Sequence, residues 1–110
     1  MIFAFPDQRK VQTDVLNVQL DWTNILASHN ETALVASHSA WAEPADPTLD
    51  FGEGVPSGTA MVQVTDSGMT GYVQTVQLAG GYPAAFTVVS AQVVLSDGSS
   101  LTRSFIVRVE

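Results

Sequence analysis

Apolar and polar residues alternate with a period of two through most of the chain. Over residues 15–22, Leu16, Val18, Leu20 and Trp22 form an apolar phase against Val15, Asn17, Gln19 and Asp21. That alternation predicts a half-buried strand. Ile25-Leu26 follows and reads as a single helical turn closing one end of a core, and residues 34–41 are a second strand. Residues 43–58 hold Pro44, Pro47 and Pro56 with Gly52, Gly54 and Gly58. Proline removes ladder donors and glycine adds backbone freedom, so this stretch is expected to be mostly loop, with 48–51 a short edge strand inside it.

Residues 59–65 read as a strand ending at the turn signature Asp66-Ser67-Gly68. Residues 71–78 are next, with Tyr72, Val76 and Leu78 on one face, before 79–83 break the chain. The last third carries the clearest signal. Residues 85–96 are rich in Val and Phe, Asp97-Gly98-Ser99-Ser100 is the turn, and 101–110 return. Asp-Gly between two β-rich runs predicts a hairpin, because it supplies the positive φ angles of a tight turn. Leu101, Phe105, Val107 and Val109 share a face that Arg103 interrupts near the strand's exposed end. About seven short strands with closely spaced turns predict an all-β protein, an immunoglobulin-like antiparallel β-sandwich. Residues 13–110 are expected to form that domain, with 1–12 an N-terminal arm or its first strand.

Composition narrows the functions open to such a fold. The 110 residues suit one domain, and folding at that length buries about 60–70% of the chain's surface, enough for a core without disulfides. Cysteine is absent, so there is no thiolate metal site and no cysteine nucleophile, which suits a reducing cytosol or a particle assembled there. Eleven acidic residues against four basic ones give a net charge of −7. Arg9 and Lys10 are adjacent, and Arg103 and Arg108 stand apart in one strand. No basic stripe exists to follow a phosphate backbone or an anionic bilayer, so neither nucleic acid nor membrane is an expected partner. The apolar opening at Ile2-Phe3-Ala4-Phe5 runs straight into Pro6-Asp7 and lacks the form of a signal peptide. Only 14% of residues are charged, below the roughly 25% of average domains, so either a partner covers part of the surface or the surface is rich in Ser and Thr.

Catalytic constellations are not evident. His38 lies mid-strand between Ser37 and Ser39, and His29 sits beside Asn30 and Glu31, with no His-Glu-x-x-His pattern and no Gly-x-Ser-x-Gly elbow. Both imidazoles read as solvated or singly hydrogen-bonded, and no enzyme, cofactor or metal is expected. Asp46, Asp50 and Glu53 do not follow a calcium-loop spacing, so whether that loop takes up calcium stays open. Asn30-Glu31-Thr32 fits a glycosylation sequon that has meaning only after secretion.

The aromatic residues divide. Trp22 and Trp41 occupy the apolar phase of their strands and are expected in the core. Phe3 and Phe5 precede the first clear strand, and either form a strand of this domain or reach out to a partner. The hairpin of 85–110 is long, apolar and lightly charged, and left at a sheet edge it would invite pairing with another chain.

Several elements occur together in order: Pro6-Asp7, Asp14-Val15-Leu16, Asp21-Trp22, Ile25-Leu26, Ser37-His38-Ser39-Ala40-Trp41, Leu78-Ala79-Gly80-Gly81 and Ser104-Phe105-Ile106-Val107-Arg108-Val109. In these the chain resembles a family of small immunoglobulin-like virion proteins of tailed bacteriophages, of the fibre–tail adaptor type. Tyr82-Pro83-Ala84-Ala85, where the family pattern carries another glycine, and the longer central loop depart from it. The resemblance implies a non-enzymatic tail component in a virion assembled in the host cytoplasm, present in several copies and bound to tail, fibre or capsid subunits. Phe3, Phe5, Tyr82 and Pro83 are the expected partner contacts. A capsid decoration or head–tail accessory protein is the alternative within that class. A carbohydrate-binding module, which would need exposed Trp22, Trp41 or Tyr82, is the alternative outside it.

Overall fold

The alternating segments fold into seven strands and one short helix in the computed structural model, which describes residues 2–30, 34–43, 62–81 and 86–110. In chain order these are β1 (Gln8–Lys10), β2 (Leu16–Asp21), α1 (Thr23–Asn30), β3 (Val35–Ala42), β4 (Val62–Thr70), β5 (Val73–Gly80), β6 (Phe86–Leu95) and β7 (Ser100–Val109). Two sheets stack, one ordered β1-β7-β6-β3 and the other β2-β5-β4. In the immunoglobulin plan strands B, E and D share one sheet and C, F and G the other. Here β2-β5-β4 takes the B-E-D order and β3-β6-β7 the C-F-G order, while β1 pairs in parallel with β7.

Each strand turns its apolar phase inward. Val18 and Leu20 of β2, Val76 and Leu78 of β5, Val89, Ala91, Val93 and Leu95 of β6, and Phe105, Val107 and Val109 of β7 are all buried. Trp22 and Leu26 close one end of this core from the start of α1. The helix runs two turns rather than one, and Asp21 prepares its first turn. The Asp21 carboxylate accepts the Thr23 hydroxyl at 2.6 Å and the Thr23 backbone N–H at 2.9 Å. Those two bonds, the hydroxyl's first, hold its pKa below the ordinary aspartate value.

Three elements differ from the sequence reading, each for a local reason. Asp66-Ser67-Gly68 does not end a strand but lies inside β4, where the register with β5 shifts between Val64 and Asp66. The chain reverses instead at Gly71, whose φ of 58° meets the turn's need for a left-handed residue. Trp41 is not in the core, because a register shift between Val35 and Ser37 inserts one residue into β3. Val35 and Ala40 both pack on the core, so the extra residue reverses the phase between them and turns Trp41 outward, opposite Ser90. The β6–β7 hairpin forms around Gly98, at φ 90°, but both its strands are interior, covered by β3 on one side and β1 on the other. Among the described strands the edges belong to β1, β3, β2 and β4. The possible strand at 48–51 lies outside the described residues.

Polar side chains fasten the two sheets to each other. Gln74 of β5 points into the core from the phase it shares with Val76 and Leu78, and it is fully buried. Its oxygen accepts the Trp22 indole N–H at 3.0 Å, and its NH2 group donates to the Ser39 carbonyl of β3 at 3.0 Å and to the Ser67 hydroxyl of β4 at 3.1 Å. Lys10, only 2% exposed, donates through Nζ to the carbonyls of Val11, Gln12 and Gly80 at 2.9, 3.1 and 2.9 Å. That bond to Gly80 ties the end of β1 to the end of β5. The Val62 backbone N–H donates to the Thr87 hydroxyl at 2.9 Å, a third tie between the sheets. Among the described residues, no buried side-chain polar atom lacks a partner.

Candidate docking surface

Opposite residues in a ladder project from the same face of their sheet. The registers therefore give the outer surface of each sheet row by row. On β2-β5-β4 the outward residues include Asn17, Gln19 and Asp21 beside Thr75 and Gln77, then Gln63, Asp66 and Thr70. That face is polar and wears a side-chain ladder: Thr65 Oγ1 donates to Gln77 Oε1 at 2.9 Å, and Gln77 Nε2 to Asn17 Oδ1 at 3.4 Å.

The outer face of β1-β7-β6-β3 is different. One row runs from Phe3 across Ser104 and Ser90 to Trp41, the next holds Ile106 and Val88, and the one beyond holds Arg9, Arg108 and Phe86. Phe3 is 54% exposed, Phe86 41% and Trp41 36%. Three aromatic side chains thus border one sheet face at its two edges and one end. Solvated single apolar residues need no explanation, but several on one face mark a surface made to be covered.

Trp41 is held in place. Its indole N–H donates to Glu43 Oε1 at 2.9 Å, and the same oxygen accepts the Ser90 hydroxyl at 2.6 Å, which lies 2.8 Å from that of Ser104. Ser90 and Ser104 are buried beneath this arrangement. A ring fixed by its N–H loses little rotamer freedom when a partner covers it, which favours an anchoring role. A recess of about 400 Å³ lies beside it, lined by Ile2, Glu43, Ser90, Thr102 and Ser104. It brings together hydroxyls and one carboxylate but no imidazole. Among the described residues, no three His, Asp or Glu side chains stand together as a metal cluster.

The expected contact residues fall in different places. Phe3 bridges Ser104 in parallel, with the Ala4 N–H donating to the Ser104 carbonyl at 3.2 Å and the Ser104 N–H to the Ile2 carbonyl at 2.7 Å. Phe3 and Gln8 are five positions apart, while their partners Ser104 and Val107 are three apart. The surplus lets the chain bend at Phe5 and turn that ring inward. Phe5 meets Trp22 edge-on with centroids 5.3 Å apart and Phe105 at 6.5 Å. Phe5→Ala is expected to lower stability by about 2–3 kcal/mol and Phe3→Ala by less than about 0.5 kcal/mol, measured by urea denaturation. Equal losses would place both rings in the same environment.

Tyr82 and Pro83 lie outside the described residues, as do Asp46, Asp50 and Glu53. His38 faces inward from β3 and shares a 3.0 Å hydrogen bond with Ser67, while His29 is exposed in the last turn of α1. Sequence reasoning missed Phe86 and Glu43. Phe86 was legible as an outward residue, since it sits in the phase opposite Val89 and Ala91.

Taken together, the fold and this face define a structural immunoglobulin-like module whose distinctive surface is a partly aromatic sheet face. The family described as Podophage GP4 fiber-tail adaptor protein gp77 matches residues 10–108. The chain belongs to that family, which places it among the structural proteins of phage tails. No curated protein matches the chain.

Proposed function

We propose that the chain is a non-catalytic adaptor joining a tail fibre to the tail of the phage particle, and that it docks through the outer face of β1-β7-β6-β3. The observation that carries this reading is the contrast between the two outer faces: one is a polar ladder, the other presents Phe3, Phe86 and a hydrogen-bonded Trp41. An adaptor must offer an apolar surface that stays rigid before it is covered, because ordering side chains on binding consumes part of the interaction energy. Phe3 is a direct contact in this reading, and Tyr82 and Pro83, in the connection leading to Phe86, extend it. Phe5 acts indirectly, by anchoring the segment that carries Phe3. Residues 13–110 with the added strand of 1–12 act as one unit, in several copies, in virions assembled in the host cytoplasm. Trp22 is buried and bonded to Gln74, so no exposed tryptophan pair supports a carbohydrate-binding module.

The test is complementation of a phage lacking this chain with the Phe86→Asp or Trp41→Asp variant, followed by imaging of the particles. Both positions face outward, so folding is expected to survive, which circular dichroism checks. The expected result is tails without fibres at normal capsid yield. Fibres attached at normal occupancy, or density for this chain on the capsid, would refute the adaptor reading.

A further inference from the structure

Among the described strands four lie at sheet edges, and three of them are guarded. Exposed edges are templates for pairing with other chains, and proteins blunt them with bulges, prolines, basic residues or short length. β1 has three residues, two of them basic, and follows Pro6. β3 carries the register shift at Val35/Ser37 and has its Ser39 carbonyl taken by Gln74. β4 carries the shift at Val64/Asp66 and lies along β3. β2 has none of these devices. All six of its residues pair with β5 in continuous register, and no described strand pairs with its other side. It contains no proline and no basic residue, and its one charge, Asp21, is at the end and bonded to Thr23. Beside it Val15 is 59% exposed.

We infer that β2 is a self-pairing edge: β2 of one copy adds antiparallel to β2 of a second copy about a two-fold axis through Val18. Two three-stranded sheets would then join into one sheet of six. The occupant follows from the pattern of β2 itself. Faces match only when the paired positions have the same parity, and the axis at Val18 sets Val18 against Val18, Leu16 against Leu20, and Asn17 against Gln19 twice. Apolar residues meet apolar ones, amides meet amides, and no charged side chain lies opposite another. In this register Asp21, the one charged residue of β2, comes opposite Val15 of the second copy, so the pairing sets no carboxylate against another within the strand. The outer ladder points the same way. Thr65, Gln77 and Asn17 form a hydrogen-bonded row whose last acceptor is Asn17 Oδ1. The Asn17 NH2 group donates to no described residue, and in this register it comes opposite Gln19 of the second copy, so the row continues across the axis. The pairing does not depend on the adaptor reading and uses a different surface from it.

The absence of cysteine makes the register directly readable. Asn17→Cys and Gln19→Cys proteins, prepared separately and oxidised with oxidised glutathione, are expected to yield a disulfide-linked dimer when mixed and little when each is alone. Sedimentation of the full wild-type chain is expected to show a reversible dimer. Asn17→Lys with Gln19→Lys sets lysine against lysine twice and is expected to weaken it about tenfold, at roughly 0.7 kcal/mol for each like-charge pair. Both residues are exposed, so the melting temperature of the monomer, read at low protein concentration, should hold. Trp41→Asp should leave the dimer intact. Cross-linking of the Gln19→Cys protein alone would overturn the register. A wild-type chain monomeric at every accessible concentration, or a dimer indifferent to the lysines, would overturn the pairing.

Discussion

Gln74→Glu is expected to destabilise the domain by about 4 kcal/mol at neutral pH and by much less in mild acid. The two side chains differ by an NH2 group against an oxygen, so packing is unchanged and the effect isolates the polar contacts. Ionised glutamate can still accept the Trp22 N–H but cannot donate to the Ser39 carbonyl or the Ser67 hydroxyl, where Gln74 donates at 3.0 and 3.1 Å. Its charge would sit at a position with no solvent exposure and no basic partner among its hydrogen-bond neighbours. Burial raises a carboxyl pKa, so the variant's folded pKa lies above the unfolded value of about 4.3. Stability relative to wild type is therefore least impaired below that value and falls as pH rises towards the folded pKa. Urea denaturation at intervals from pH 4 to 8 checks both the size and the sign. A loss independent of pH would mean that the glutamate reaches water, and that the sheets part at this corner more easily than the hydrogen bonds imply.

The same residue shows where the sequence was legible and where it was not. Gln74 lies in the apolar phase between Tyr72 and Val76, and a pattern reading passes over it as an interruption. Only tertiary structure shows that three separate segments bring it a donor and two acceptors. Lys10 is similar: beside Arg9 it reads as surface charge, yet three backbone carbonyls converge on it. The β6–β7 hairpin was legible because its turn chemistry is local, with the Asp97 carboxylate accepting the Ser99 N–H at 2.9 Å and Gly98 supplying the positive φ. Trp41 was not, because a one-residue bulge reverses every side chain beyond it and leaves no compositional trace. The candidate docking face depended on that bulge, so its exposed residues could be named in part, through Phe3, but not assembled. The edge strands likewise required the order of strands within each sheet, which turn spacing does not supply.

Gly81→Ala is expected to cost about 3–4 kcal/mol, whereas Gly80→Ala, one residue earlier, should cost about 1 kcal/mol. Both glycines stand in the Leu-Ala-Gly-Gly step that contributes to the family resemblance, and both have positive φ, 75° for Gly80 and 106° for Gly81. Backbone strain alone would penalise both substitutions. Space separates them. A Cβ on Gly80 meets nothing within 4 Å, but one on Gly81 would lie 2.6 Å from Val109 Cγ2 and 3.1 Å from Val62 Cγ2. Neither valine can retreat cheaply. Both are buried, and β-branched side chains have few alternative rotamers. Val62 begins β4 and Val109 ends β7, so relieving the clash would push the two sheets apart at the end where Lys10 and Thr87 tie them together. Thermal melting of the two variants beside wild type decides the point. Equal losses would show that this end of the sandwich yields readily and that φ alone demands glycine there. A loss confined mainly to Gly81 would show that the second glycine of the step is required for close packing of the sheets, next to the connection that leads to Phe86.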